Sequence, residues 1–523
     1  MPEGLIERYD ERIAGVLSCY DRIVITGTLP GICHARGMTS FLYANAIRIF
    51  DYPQFAATLR DKVRENAAKV AEAAGAGIEH VSKSHIRKED IVAKAIALRG
   101  DHPGLAHVIS AMEACGAYEP WHDKKTHKTF LRPDSGKCLH YYFYFIDEEL
   151  GLIYVRVPTW APFRLQFYCN GHSWLARKLS AEGIGFAAGD NAFLGITDWN
   201  RAQELADGFS PVMLHRILDR YAALCCPVLD TFKQSYHWSL MQVEYSTDLV
   251  FQSKQTLAPL YEQLARHSVL TVKAETVATF LGRSIAPNLA QEIGSQFSTR
   301  IEGTCIKHRF GKSSVKMYDK LGTILRIETT TNDVSSFKHY RKVEHRKGPS
   351  STGFAPMKKN IYSLGDLAGI LFACNRRYLA HLSALDDFSA GVRLLDRVTR
   401  PRKVEGKTVK GIDFFNPTER TLLGALQNPK FNIAGVRRAD LATLLKHLSP
   451  SALSRRIRRL RCLGLIKRVA KTYRYYLTRA GRAVIAAASH ITEYGIVPAA
   501  GGGRSTSSSA PARPRDKVGR TRP

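Results

Sequence analysis

The stretch from Ser449 to Thr478, SPSALSRRIRRLRCLGLIKRVAKTYRYYLT, most constrains what this chain can fold into. Leu453, Ile457 and Leu460 recur at helical spacing, so at about 100° per residue they share one narrow apolar stripe. The opposite side collects Ser451, Ser454, Arg455, Arg458 and Arg459, with Arg456 and Arg461 on the flanks. Ser449 followed by Pro450 supplies a capping hydroxyl and then a residue whose fixed φ suits the first helical position. Gly464 ends the helix, and Ile466 to Ala470 and Tyr473 to Thr478 read as strands around a tight Lys471-Thr472 turn.

A solvated helix face ordinarily mixes both signs, because like charges three or four residues apart repel. The run Arg455 to Arg461 holds no acid, which suits a face neutralised by a polyanion. Upstream, Pro417 to Gln427 and Arg438 to Lys446 read as two further amphipathic helices. This order resembles a MarR-type winged-helix domain, over roughly the last fifth of the chain. In that resemblance Arg438–Lys446 is the second helix, Ser449–Leu463 the reader and Ile466–Thr478 the wing. It implies a double-stranded DNA partner, with Ser451, Ser454, Arg455 and Arg458 on base edges in the major groove. Arg456, Arg459, Arg461, Lys471 and Arg474 would then hold phosphates. The bland counterpart is a winged helix that contacts another protein.

A chain of 523 residues has room for roughly three domains, each with its own core. Its formal net charge of +29 opposes compaction and is most simply explained by a phosphate-rich partner. A basic membrane-surface protein is the competing reading. No long apolar span and no strongly amphipathic basic helix supports it, so no membrane partner is expected. The amino-terminal MPEGLIERYDERIAG is not of signal-peptide type, and the ten cysteines form neither a regular framework nor a C-x-x-C pair. A reduced, cytoplasmic protein with buried thiols is the expectation.

The expected class is α+β. Residues 1–132 read as a mixed α/β region, in which Asp21 opens a buried strand, DRIVITGTL. Residues 133–345 read as an α+β domain around a mostly antiparallel sheet, because Tyr-, Phe- and Val-rich runs alternate with packing helices. Within it, the aromatics of LHYYFYFI could stack on unpaired bases, but core burial is the favoured reading for Tyr141 to Phe145. Residues 346–410 read as a linker with a helical segment, 411–490 as the winged helix and 491–523 as a disordered basic tail.

Catalytic chemistry is most suggestive in Lys307 to Asn332, KHRFGKSSVKMYDKLGTILRIETTTN. Its strand, Tyr-Asp-Lys, turn and Arg-x-Glu strand are similar to the corresponding strands of rolling-circle replication initiators, which nick DNA with a tyrosine beside a divalent metal. That resemblance implies Tyr318 as nucleophile and Glu328 as its acidic partner, with Lys320 and Arg326 on phosphate. The family's paired metal-binding histidines are missing, and His308 stands alone as a third catalytic candidate. A second possibility is a carboxylate site of the transposase or ribonuclease-H kind, drawn from Asp21, Asp190, Glu244, Asp248 and Glu328 and holding magnesium or manganese. Glu244 and Asp248 have even spacing in a strand and so share a face. Phosphate-loop, dinucleotide, H-E-x-x-H and G-x-S-x-G patterns are absent.

Taken whole, the chain resembles a group of bacterial hypothetical proteins through the phrases YDRIVITGTL, IKHRFGKSSVKMYDK, LRIETTTND and FNIAGVRRADL. The leading expectation is a DNA-binding protein that targets DNA for a mobile element or replicon, with strand cleavage in the middle domain. The alternatives are a transcriptional regulator whose body senses a ligand or forms a homodimer, and an RNA-binding protein. Single-stranded DNA is a further candidate partner.

Overall fold

The computed structural model describes residues 4–83, 85–283, 296–345, 348–383, 388–404, 406–428, 431, 435–469 and 472–490. The chain is of the α+β class and divides into two compact units, Met1–Asp386 and Asp387–Pro523.

The first unit is built on one sheet of eleven strands. In chain order these are β1 (Ile13–Thr28), β2 (Ile78–His80), β3 (Gly104–Asp123), β4 (Lys128–Asp147), β5 (Gly151–Pro158), β6 (Leu165–Cys169), β9 (His237–Phe251), β10 (Phe297–Glu302), β11 (Cys305–Phe310), β12 (Ser313–Lys320) and β13 (Ile324–Thr331). A small separate hairpin, β7 (Phe186–Ala188) and β8 (Phe193–Ile196), falls between β6 and β9. The spatial order is β10-β11-β12-β13-β9-β1-β6-β5-β4-β3-β2, with β2 and β3 parallel and the other neighbours antiparallel. β1 lies in the middle, and its sequence, IAGVLSCYDRIVITGT, is mostly buried, with Asp21 and Arg22 interrupting the apolar run.

One face of the sheet carries the main core. Tyr20, Ile23, Phe143, Phe145 and Phe167 pack there against the helices Tyr52–Ala73, Pro211–Cys225 and Leu364–Ser383. Asn375 of the last helix is fully buried and saturates its amide on this face: Nδ2 donates to the Tyr245 carbonyl (3.0 Å), and Thr329 Oγ1 donates to Oδ1 (2.7 Å). The other face is polar over β12, β13, β9 and β1. All five residues from Tyr141 to Phe145 are buried, split between the two faces, so this stretch offers no open ring surface.

Three expectations differ from the structure. The strand containing Asp21 begins at Ile13, so Asp21 is interior rather than leading. Residue 132 falls inside β4, and β3 and β4 form one long hairpin within the common sheet, so 1–132 is not a separate unit. The supposed linker after residue 345 contains β15 (Ser351–Pro356), which pairs with β14 (Lys338–Val343). Its small and polar residues are those of a ribbon exposed on one side.

The second unit holds the helices Phe388–Thr399, Pro417–Leu426, Arg438–Leu444, Pro450–Cys462 and Arg479–His490. Its short ribbons are β16 (Arg402–Val404) with β17 (Lys407–Val409), and β18 (Ile466–Arg468) with β19 (Tyr475–Leu477). No helix among the described residues is long and apolar enough to cross a membrane. The tail after His490 lies outside the described residues.

Candidate functional site

Three adjacent strands bring three carboxylates together. Asp21 on β1, Glu244 on β9 and Glu328 on β13 are all buried, and one oxygen of each lies within 4.8 Å of the others. Register explains the convergence. Glu244 pairs with Arg22 on one side and Thr330 on the other, and Glu328 sits opposite Ser246 one pleat along the same face. Asp21 joins them through a bulge, for Tyr20 pairs with Tyr245 and Arg22 with Glu244, leaving Asp21 as the extra residue. The extra residue lets Asp21 and Arg22 both turn toward the polar face beside Glu244, while Tyr20 and Ile23 on either side stay in the core.

The neighbourhood holds each acid differently. Asn191, in the turn of the β7–β8 hairpin, donates from Nδ2 to Asp21 Oδ1, and His172 Nδ1 lies 3.3 Å from the same oxygen without hydrogen-bond alignment. Burial would raise the Asp21 carboxyl, but His172 and Arg326 hold it well below the usual carboxylate range. Asn170 caps the helix Gly171–Ala181 by accepting from the His172 and Ser173 amides, at 2.7 and 3.3 Å. Gly171 is required there, since a Cβ would lie 2.2 Å from the Tyr20 carbonyl oxygen. That close approach sets His172 against the bulge.

Glu328 accepts from Lys316 Nζ (2.6 Å) and from the Tyr318 hydroxyl (2.8 Å), both of them on β12. Glu244 is less well compensated, with Lys316 at 3.7 Å and Arg22 at 3.9 Å. Burial and the adjacent Glu328 carboxylate push Glu244 up to about 7. Burial likewise pushes the Tyr318 phenol well above its ordinary value, and Glu328 adds to this. Lys316, Arg22, His172 and Arg326 surround the three acids, and, with burial, the repulsion that remains between Glu244 and Glu328 is what raises Glu244. An all-oxygen carboxylate set of this kind suits a hard divalent cation.

No protein-family model, curated protein or solved structure matches this chain.

Of the sequence candidates, Glu244, Glu328, Tyr318 and Asp21 meet in this site, and five others do not join it as expected. Asp248 shares the face of Glu244, but both its oxygens are taken by Arg326, at 2.6 Å each. Arg326 is fully buried and so reaches no phosphate; it braces the site, 3.6 Å from Asp21. Asp190 is exposed in the β7–β8 turn and pairs with Lys320 at 2.7 Å, which removes both from the roles expected of them. His308 points to the opposite face, bonded to Ser268 (2.7 Å) and Thr299 (2.9 Å), and burial pushes it down to about 4. Its neutral ring is a packing element. Lys316, Asn191 and His172 belong to the site without being among those candidates. Lys316, two residues before Tyr318 on the same strand, was the one with a legible signal.

A second feature lies in the other unit. Leu453, Ile457 and Leu460 of the helix Pro450–Cys462 are buried, and Ser449 Oγ accepts from the Ala452 amide at 3.3 Å. Ser451, Ser454, Arg455, Arg458 and Arg461 are exposed. Ser454, Arg458 and Arg461 line a groove of about 930 Å³ with Arg437, Arg438 and Arg474. Arg459 is a correction: it turns away from the groove, donating to Glu419 Oε1 (2.7 Å) and to the Lys410 carbonyl (2.8 Å). Arg456 is half-buried and borders the same side, against Glu419 and Leu422. Lys471 lies outside the described residues.

Proposed function

We propose that this protein is a DNA-binding enzyme that cuts a DNA strand with the help of a divalent metal, acting for a mobile element or replicon. The convergence of Asp21, Glu244 and Glu328, with ligand oxygens within 4.8 Å, carries the reading. These three side chains would hold magnesium or manganese, which would neutralise charge developing on a scissile phosphate. In this reading Tyr318 is the nucleophile. Its oxygen forms the new bond to phosphorus, its proton passes to Glu328 at 2.8 Å, and the bond from phosphorus to one deoxyribose oxygen breaks, that oxygen taking a proton from water to leave as a hydroxyl. Lys316 sits between Glu328 and Glu244 and limits their mutual repulsion. In the second unit, the arginine-lined groove beside Pro450–Cys462 supports a winged-helix reading, with Ser454 and Arg458 toward the bases and Arg461, Arg438 and Arg474 toward phosphate.

A supercoiled-plasmid nicking assay tests this. Parent protein should convert supercoiled to open-circular DNA with magnesium or manganese and lose the activity in chelator. Glu328→Ala should abolish it, and Tyr318→Phe should abolish both nicking and a covalent protein–DNA adduct on denaturing gels. Nicking by Tyr318→Phe at the parental rate would transfer the attack to water. Absence of nicking by the parent with either metal would end the enzymatic reading.

A further inference from the structure

The β14–β15 ribbon carries an aromatic pair that the core does not use. Tyr340 and Phe354 stand opposite each other in register, 66% and 76% exposed. Their ring centroids are 5.7 Å apart at an interplanar angle of 68°. Alternation puts Lys338 and Lys342 beside Tyr340 on this face, and Thr352 and Pro356 beside Phe354; all four are exposed. The reverse face is the one tied down. His339 Nδ1 lies 3.0 Å from Asp366 of the helix Leu364–Ser383, while Arg341 Nη2 links the two strands of the ribbon by donating to the Pro356 carbonyl at 2.9 Å. The root of the ribbon is fixed as well, by Met357 N donating to the Phe337 carbonyl (2.9 Å) and Lys359 Nζ to Asp333 (3.1 Å).

Scattered exposed rings are ordinary on protein surfaces. A cross-strand pair between two lysines, on two strands that hold no acid, is a more specific combination. Packing against an apolar partner would bury Lys338 and Lys342 without counter-charge, which is costly. An unpaired nucleic-acid strand meets both demands, since any base offers a π-face to the rings and the adjoining phosphates neutralise the lysines. We propose that this ribbon face is a stacking site for unpaired nucleic acid, in which Tyr340 and Phe354 hold bases and Lys338 and Lys342 hold the flanking phosphates. The site stands whether or not the carboxylate cluster cuts.

The test is fluorescence anisotropy of a labelled oligothymidylate with the full chain. Arg455→Ala and Arg458→Ala are built in, so that the arginine helix contributes little. Adding Tyr340→Ala with Phe354→Ala should weaken binding by about 10-fold or more, the scale of losing one or two stacked bases. Tyr340→Phe with Phe354→Tyr should stay within about 2-fold, because both keep a ring. Both positions are exposed, so unchanged circular dichroism is expected throughout. Three results would each overturn the proposal. They are no oligothymidylate binding before the rings are removed, unchanged affinity after ring removal while Lys338→Ala with Lys342→Ala weakens it, and a fall in mass by light scattering on ring removal with affinity intact. The last would assign the face to a second copy of the chain.

Discussion

Asp248 and Arg326 face each other across β9 and β13, with both carboxylate oxygens accepting from the guanidinium at 2.6 Å. The pair is sealed from solvent, with Arg326 0% and Asp248 2% exposed. Arg326 also donates to the Asn191 carbonyl (2.7 Å), so a single side chain ties two sheet strands to the turn that reaches Asp21. Removing one partner leaves a buried charge uncompensated, which costs about 3–5 kcal/mol. Arg326→Ala and Asp248→Ala should each lower the unfolding free energy from denaturant titration by that scale. Asp248→Leu combined with Arg326→Met should recover much of the loss, because an apolar pair needs no counter-charge. A double variant as unstable as either single one would refute this account.

The carboxylate cluster should respond to metal in stability as well as in activity. A cation that binds the folded chain alone, at about 100 times its Kd, adds about 2.7 kcal/mol. The parent should therefore melt higher in manganese or magnesium than in chelator. Glu244→Gln should abolish that increment, yet melt no lower than the parent in chelator, because it removes one of two adjoining buried acids. Metal-independent melting of the parent would count against a cation at this site.

Much of this centre was legible before the fold, and the missing part has a definite physical cause. Even spacing put Glu244 and Asp248 on one face, and the Tyr-Asp-Lys strand put Tyr318 near Glu328. Periodicity could not say which of the two β9 acids would be consumed by Arg326, 78 residues from Asp248; that depends on strand order. Asp21 was ambiguous because a bulge breaks alternation, although an acid inside the run VLSCYDRIVIT is itself unusual. β15 has linker composition, with Gly, Ser and Pro around it, and only its pairing with β14, Tyr340 opposite Phe354, shows it as a strand. The apolar stripe Leu453, Ile457 and Leu460 was fully legible, but Arg459 was not, since its partner Glu419 comes from another helix.

Arg458 and Arg459 are neighbours in sequence with different expected roles. Arg458→Ala should weaken duplex DNA binding by about 1–3 kcal/mol if its contact is bidentate, and should flatten the salt dependence. Arg459→Ala should instead lower the melting temperature, since it frees Glu419 and two carbonyls, and its DNA affinity at low temperature should stay near the parent's. Anisotropy on a labelled duplex at several salt concentrations, beside thermal melts, separates the two. An equal effect of both substitutions on DNA affinity at constant stability would return Arg459 to the interface.

Glu113 on β3 offers a prediction in pH. It accepts from Lys88 Nζ, the Tyr142 hydroxyl and Arg156 Nη2, each at 2.7 Å, on the polar face away from the carboxylate cluster. Burial alone would raise its carboxyl, but Lys88, Tyr142 and Arg156 outweigh that and bring it from 4.5 down to about 2. A group whose pKa falls on folding stabilises the native state above its unfolded pKa, and that contribution is lost as pH drops through the folded value. The loss should therefore spread over the interval from 4.5 down to about 2. Glu113→Gln removes this titration, so the difference in melting temperature between parent and variant should be constant above that interval and shrink steadily within it. A difference that stays constant down to pH 2 would show that the three donors do not depend on the ionised carboxylate.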